Sequence, residues 1–232
     1  MKIEIWSDFA CPFCYLGKKK LEKAIAAFPH KENIEVIYKA YELSPNLTED
    51  SNLVGIDGFV KTKGVEREQA VQSFAGITNA AKAYGLNYQM DKIKMVKTHK
   101  AHRLAKWANT HNLEAELSEL LFDAYFIKGE NLADNDLLLS LVDKLGLNRN
   151  DALKVLESNE FSDVVDAQIS ESRRFGVRGV PFFVFNRKFA VSGAQSDEHF
   201  TSALQQAYEE ENTFEVIGDE GADACGPNGC DI

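Results

Sequence analysis

The chain has 232 residues, 44% of them hydrophobic, enough to bury a substantial core as one compact domain or one domain carrying an insertion. Asp and Glu total 36 against 26 Lys and Arg, a net charge of −10 with no basic block to offset it, so nucleic acid is not expected as the main partner. No apolar run approaches membrane-spanning length, and the N-terminus leads into a strand pattern with no signal-peptide features, so a cytoplasmic protein without a membrane partner is expected.

Lys2-Ile3-Glu4-Ile5-Trp6 alternates and is rich in β-formers, which predicts a first strand. Leu16, Leu21, Ala24, Ile25 and Phe28 predict a helix after it. Between the two stands Cys11-Pro12-Phe13-Cys14. The first cysteine thus falls at a strand-to-helix junction, where unpaired backbone N–H groups and the positive end of the helix dipole favour a thiolate. A C-x-x-C that opens a helix directly after a strand is a far more specific redox signal than the tetrapeptide alone. Lys18-Lys19-Lys20 on the same helix reads as a solvated face.

Residues 33–40 predict a second strand, and a polar stretch around Ser44-Pro45-Asn46 predicts a loop reaching about Gly58. From there to about Phe175 the pattern is helical almost throughout. Its apolar stripes are Leu117/Leu120/Leu121/Ala124, then Leu137/Leu138/Leu141/Val142/Leu145 closed by Gly146, then Phe161/Val164/Val165/Ile169. That is too much for a single crossover, so a helical domain inserted into an α/β sheet domain is the economical reading. The β signal returns at Pro181-Phe182-Phe183-Val184-Phe185, with a turn at 186–188, a second hairpin strand at 189–191, and a last helix carrying Phe200, Ala203, Leu204, Ala207 and Tyr208. Beyond Glu210 the composition predicts a mobile acidic tail, which carries Cys225 and Cys230 around the turn-formers Pro227-Asn228-Gly229. Such a turn lets the two cysteines meet disulfide geometry and, from a mobile tail, exchange with the first pair; a static clip or two idle thiols are the alternatives.

Two cysteine pairs also offer four thiolates to zinc. Pro12 and the strand–helix placement fit a redox site better, and no metal is expected. His99 and His102 lie three apart with no Glu completing a metalloprotease pattern. His102 and Arg103 are expected to hydrogen-bond where the helical and sheet parts meet. Glu4 is the candidate carboxylate to accept a proton from Cys14.

Three segments carry a resemblance: Trp6-Ser7-Asp8-Phe9-Ala10-Cys11-Pro12-Phe13-Cys14-Tyr15-Leu16-Gly17, Thr98-His99-Lys100-Ala101-His102-Arg103-Leu104, and Gly176-Val177-Arg178-Gly179-Val180-Pro181-Phe182-Phe183. Together they resemble the DsbA-like thioredoxin family and its FrnE-like cytoplasmic branch, over nearly the whole chain. The resemblance implies an α/β thioredoxin fold with an inserted all-helical domain: residues 1–58 and 176–212 form the thioredoxin part, 59–175 the insertion and 213–232 the tail. It implies a disulfide oxidoreductase with Cys11 as nucleophile, Cys14 as resolving cysteine and Pro181 as a cis proline beside them. Pro12, Phe13 and Val180 would meet an extended substrate, and Cys225 and Cys230 would serve as an accessory redox pair. The implied partners are proteins or peptides bearing a disulfide or dithiol, together with a redox partner. Periplasmic oxidants of the family commonly have Pro-His where this chain has Pro12-Phe13, and Phe13 brings neither charge nor donor.

The same superfamily holds 2-hydroxychromene-2-carboxylate isomerases and kappa-class glutathione transferases, many with serine at the first cysteine position. A glutathione-dependent isomerase or transferase is therefore the first alternative, with glutathione as co-substrate. A redox-independent holdase using the peptide groove is the second. Both cysteines being present favours dithiol exchange, and in a reducing compartment its expected direction is reduction or isomerisation.

Overall fold

The computed structural model describes residues 1–211 together with the backbone of two short strands near the C-terminus. The alternation of the first segment is what the sheet uses. β1 (Lys2–Ser7) pairs in parallel with β2 (Glu35–Ala40), Ile3 opposite Val36 and Ile5 opposite Tyr38. On its other side it pairs antiparallel with β3 (Phe182–Phe185), which turns into β4 (Phe189–Ser192), giving the order β2-β1-β3-β4. Asn186 and Arg187 adopt left-handed φ values of 48° and 57° at that turn, as tight hairpins require.

Successive strand residues face opposite sides, so β1 serves two layers. Ile3 and Ile5, with Phe183 and Phe185 of β3, meet Leu21 and Ala24 of α1 (Pro12–Ala27), Phe28 just after it, and Phe200 and Leu204 of α9 (Asp197–Glu211). Glu4 and Trp6 point the other way, towards α8 (Ser162–Arg174), where the Trp6 indole N–H donates to the Gln168 carbonyl at 3.0 Å. The Gln168 side-chain Oε1 accepts the Ala40 N–H at 2.8 Å, so one residue, through its backbone and its side chain, ties α8 to two strands. The helix just before the returning strand therefore lies on the sheet.

The remaining helices are α2 (Gly55–Lys63), α3 (Arg67–Lys82), α4 (His99–Asn109), α5 (Glu114–Phe122), α6 (Asn135–Lys144) and α7 (Arg149–Glu157). Leu104, Leu117, Leu121, Phe122, Leu138 and Val142 are buried among them, in a core that is continuous with Phe9, Cys11, Cys14 and Tyr15. The dithiol is thus packed against the helical layer rather than inside the sheet core. Gly146 ends α6 in the left-handed region, at φ 68°, with Leu147 N–H bonding back to Val142, as the sequence predicts.

Three expectations need correction. Residues 83–98 are not helical: Gly85, at φ 75°, stops α3, and the chain then runs as a loop with a turn at 90–92, bridged to the start of α2 by Gly55 N–H donating to Ile93 and Met95 N–H to Leu53. Leu86, Tyr88 and Met90 are buried at every second position, a strand-like period within a helical neighbourhood. Lys18 does not belong to a solvated face. It is buried, ion-paired to Glu22 and to Glu119 of α5, while Lys19 also reaches Glu119 and Lys20 donates to the Ala194 and Gln195 carbonyls. The helical layer lands on that side of α1 and supplies the counter-charge. Arg103 stays inside the helical layer, donating to the carbonyls of Val155, Ser158 and Glu160.

Near the C-terminus, β5 (Cys225–Gly226) pairs antiparallel with β6 (Gly229–Cys230), Cys225 opposite Cys230. The cysteine side chains, and the predicted mobility of the tail, lie outside the described residues.

Candidate active site

The loop between β1 and α1 is fixed by one buried carboxylate. Asp8, 1% exposed, accepts the N–H groups of Ala10 (3.1 Å) and Leu43 (2.7 Å) and the Thr98 hydroxyl (2.8 Å), while its own carbonyl accepts the Cys11 N–H (3.0 Å). Burial alone would raise the Asp8 pKa, but His102 and the backbone donors of Leu43 and Ala10 more than offset it and hold the carboxyl below its usual range.

Cys11 is the N-cap of α1, in extended conformation, and Pro12 follows at the first helical position, where its missing N–H costs nothing. The Cys11 thiol lies 3.4 Å from the Val180 carbonyl. The Val180–Pro181 peptide is cis. Gly17 lets the helix approach this segment closely: a Cβ there would stand 3.0 Å from Pro181 and from Phe183. Cys14, 2% exposed, is set behind Cys11 by the helix turn, its N–H bonded to the Cys11 carbonyl at 3.0 Å. Burial pushes the Cys14 thiol well up, and the Cys11 sulfur beside it adds to this; the Ser7 hydroxyl and Asp8 backbone N–H work the other way. Cys14 therefore holds its proton while Cys11 stands in front.

In front of Cys11 opens a cavity of ≈ 280 Å³. Pro12, Phe13 and Val180 form one wall, and Phe59, Phe74, Ile77, Met90, Ile93 and Tyr125 form much of the other. Tyr125 comes from Asp123–Lys128, a π-helical continuation of α5, and donates its hydroxyl to the Lys94 carbonyl. The Tyr88 hydroxyl donates to the Pro12 carbonyl at 2.8 Å and so joins the 83–98 loop to the cysteine turn. Phe13 is 49% exposed, an apolar ring at the rim.

Cys11, Pro12, Phe13, Cys14, Val180 and Pro181 thus come together. Glu4 does not join them. It is buried, but on the α8 face of β1, whereas Cys14 lies on the face of Ser7. Its carboxylate is held by both nitrogens of a bidentate Arg187 pair (2.7 Å each) and by Lys39 (3.1 Å). His99 binds Glu42 and Ser162. His102 does sit where the layers meet, against Phe9. Among the described residues no cluster of three or more His, Cys, Asp or Glu is placed to hold a metal, and no helix is long and apolar enough to cross a membrane.

Sequence reasoning missed Asp8, Thr98 and Tyr88. Asp8 carried a signal: an acid two residues before a backbone N–H at the end of a strand is the start of an Asx turn. Tyr88 carried none.

Comparison with known proteins agrees with this geometry. A DSBA-like thioredoxin domain matches residues 2–205. A probable DsbA oxidoreductase from Streptomyces coelicolor is 35% identical and superposes with a TM-score of 0.87, covering 100% of this chain and 99% of that one. A 2-hydroxychromene-2-carboxylate isomerase (17% identity, TM-score 0.69, 91% and 98% covered) shares the fold. So does the cytosolic disulfide reductase DsbM from Pseudomonas aeruginosa (16% identity, TM-score 0.61, 90% and 100% covered). Carrying a helix-opening dithiol on this fold, the chain belongs to the DsbA-like thioredoxin family of thiol–disulfide oxidoreductases.

Proposed function

We propose that the protein exchanges disulfides with protein or peptide substrates, Cys11 attacking and Cys14 resolving. The observation that carries this reading is the asymmetry of the two sulfurs. Cys11 lines the cavity at a helix N-terminus, while Cys14 is shielded behind it and keeps its proton. A Cys11 thiolate attacks the substrate disulfide, one substrate sulfur leaves, and Cys14 then displaces the other to close the Cys11–Cys14 bond. Run backwards, the same steps oxidise a dithiol.

The cavity wall supports a protein substrate over glutathione. Aromatic and aliphatic side chains would receive a bulky apolar residue next to the substrate cysteine, while the two carboxylates and the ammonium of glutathione would find Lys63 as the one charged side chain of the lining, already donating to the Leu43 carbonyl and the Ser44 hydroxyl. Pro12, Phe13 and Val180 would border the bound peptide, with Pro181 positioning it. A cytoplasmic setting favours reduction or isomerisation, with a reducing partner to recharge the dithiol.

The same reading gives Cys225 and Cys230 the role of an accessory pair. α9 ends beside the start of β1, where Glu211 pairs with the amino group of Met1 at 3.0 Å. The dithiol lies just beyond the other end of β1, a strand of six residues and about 20 Å. Residues 212–224 span at most roughly 45 Å when extended, so the second pair is within reach of the first.

Reduction of insulin by dithiothreitol tests both parts. Cys11→Ser is expected to abolish the acceleration, and Cys225→Ser/Cys230→Ser to retain part of it. A wild-type protein that gives no acceleration overturns the proposed function.

A further inference from the structure

Resolution of the mixed disulfide requires Cys14 to lose a proton in a place that bulk water does not reach. Asp8 is a poor acceptor, since its oxygens already take three hydrogen bonds. Glu4 is on the other face of the sheet, and Glu119 is held by Lys18, Lys19 and Tyr15.

Where β1 and β2 meet α4 and α5 lies a small second cavity, lined by Ser7, Phe9, Lys39, His102, Lys106 and Glu114 among others, with a volume of ≈ 10 Å³. That is room for about one water molecule. Ser7 belongs to both places, facing the Cys14 sulfur and lining this cavity. His102 is 4% exposed, and its buried Nε2 has only a long contact, 3.5 Å to Asp8 Oδ1, and no closer hydrogen-bond partner. A buried ring nitrogen held only by a long contact to a carboxylate calls for an explanation.

Building on the dithiol reading above, we propose that His102, acting through Ser7 and one water in this cavity, takes the proton Cys14 gives up when it attacks the mixed disulfide. The Cys14 S–H passes its proton to the Ser7 oxygen, whose hydroxyl both donates and accepts, and Ser7 hands its own on through the water to the imidazole. The Cys14 thiolate then bonds to Cys11 as the Cys11–substrate bond breaks, and the substrate thiolate leaves and is protonated by solvent. The substrate disulfide is the only oxidant. His102 returns its proton when the Cys11–Cys14 bond is reduced again.

The charged groups around His102 at this cavity are Asp8 from the β1–α1 loop, Lys39 from β2, Lys106 from its own helix and Glu114 from α5. Lys106 and Glu114 pair with each other at 2.5 Å, and Lys106 also donates to the Tyr38 carbonyl. Lys39 is held by Glu4 and Glu171. Asp8 is left as the counter-ion of an imidazolium. His102 is a positioning and proton-holding residue, distinct from the two sulfurs that meet substrate.

The experiment is stopped-flow reaction of the reduced protein with Ellman's reagent, in the Cys225→Ser/Cys230→Ser background. A first thionitrobenzoate leaves when Cys11 attacks and a second when Cys14 resolves. In His102→Gln the second rate relative to the first is expected to fall about 10²-fold near pH 7 and to recover as the pH is raised. Ser7→Ala is expected to do the same, and it decides the matter if His102→Gln does not fold. An unchanged ratio and pH profile overturns the inference, as does an equal slowing of both phases at every pH. Failure of the wild type to release a second thionitrobenzoate, matching Cys14→Ser, overturns the dithiol reading itself.

Discussion

Glu4 and Asp8 flank the same stretch of β1, and both carboxyls are buried and held below their usual range, yet their surroundings differ in kind. Glu4 is matched by cations, Arg187 and Lys39, and Lys39 and Arg187 are matched again by Glu171 of α8. Asp8 is matched by neutral donors from three separate segments and by one histidine. The first arrangement staples a helix to the back of the sheet. The second fixes the loop from which both cysteines hang. Burial and a shifted pKa alone do not identify the carboxylate that serves the chemistry; the elements it connects do.

The contrast can be broken by mutation. Asp8→Ala leaves the Leu43 and Ala10 N–H groups and the Thr98 hydroxyl without their acceptor. At about 1–3 kcal/mol for each stranded buried donor, with partial relaxation, the expected loss is about 3–5 kcal/mol, measured by urea unfolding. It should slow disulfide exchange as well. Glu4→Gln is expected to cost less, about 1–3 kcal/mol, because Arg187 is more than half exposed and returns to water when its partner is lost. It should leave the rate of insulin reduction by the folded protein within about twofold. An activity loss far beyond the stability loss would restore Glu4 to the site.

Gly17→Ala sharpens the geometry between the two regions. Alanine favours helix by up to about 1 kcal/mol, but its Cβ would press on Pro181 and Phe183. Overpacking of this kind typically costs about 1–3 kcal/mol, so a small net destabilisation is expected, together with slower exchange as α1 is pushed off Pro181.

The smallest effect is in the acid limb of stability. Glu4 and Asp8 have lower pKa values folded than their ordinary 4.5 and 3.8, so the unfolded chain binds more protons in acid. Their contribution is complete above about pH 4.5 and is lost as the pH falls through the lower folded values. Glu4→Gln should flatten part of that decline in denaturant midpoints taken between pH 6 and pH 3.

Strand alternation, the helix-opening cysteines and the hairpin after Pro181 were legible because each depends on neighbours in sequence. Gly146 was legible for the same reason. Glu4 was misassigned because proximity along β1 says nothing about which face of the sheet a residue takes relative to Cys14, and a one-residue step reverses it. Lys18 was misread because its partner Glu119 comes from a distant helix. The 83–98 loop hid the every-second-residue burial of Leu86, Tyr88 and Met90 inside a stretch dominated by helical stripes. The cavity it helps to build had no local signature.

The measurement that bears most directly on the paired sulfurs is mass spectrometry of the reduced protein after reaction with a peptide disulfide carrying a bulky apolar residue beside its cysteine. The wild type should pass to a Cys11–Cys14 disulfide with both peptide halves released, and Cys14→Ser should stop at one peptide covalently bound to Cys11. A Cys14→Ser protein that turns over at the wild-type rate, or an adduct on Cys14 in place of Cys11, would contradict the division of labour between the two cysteines.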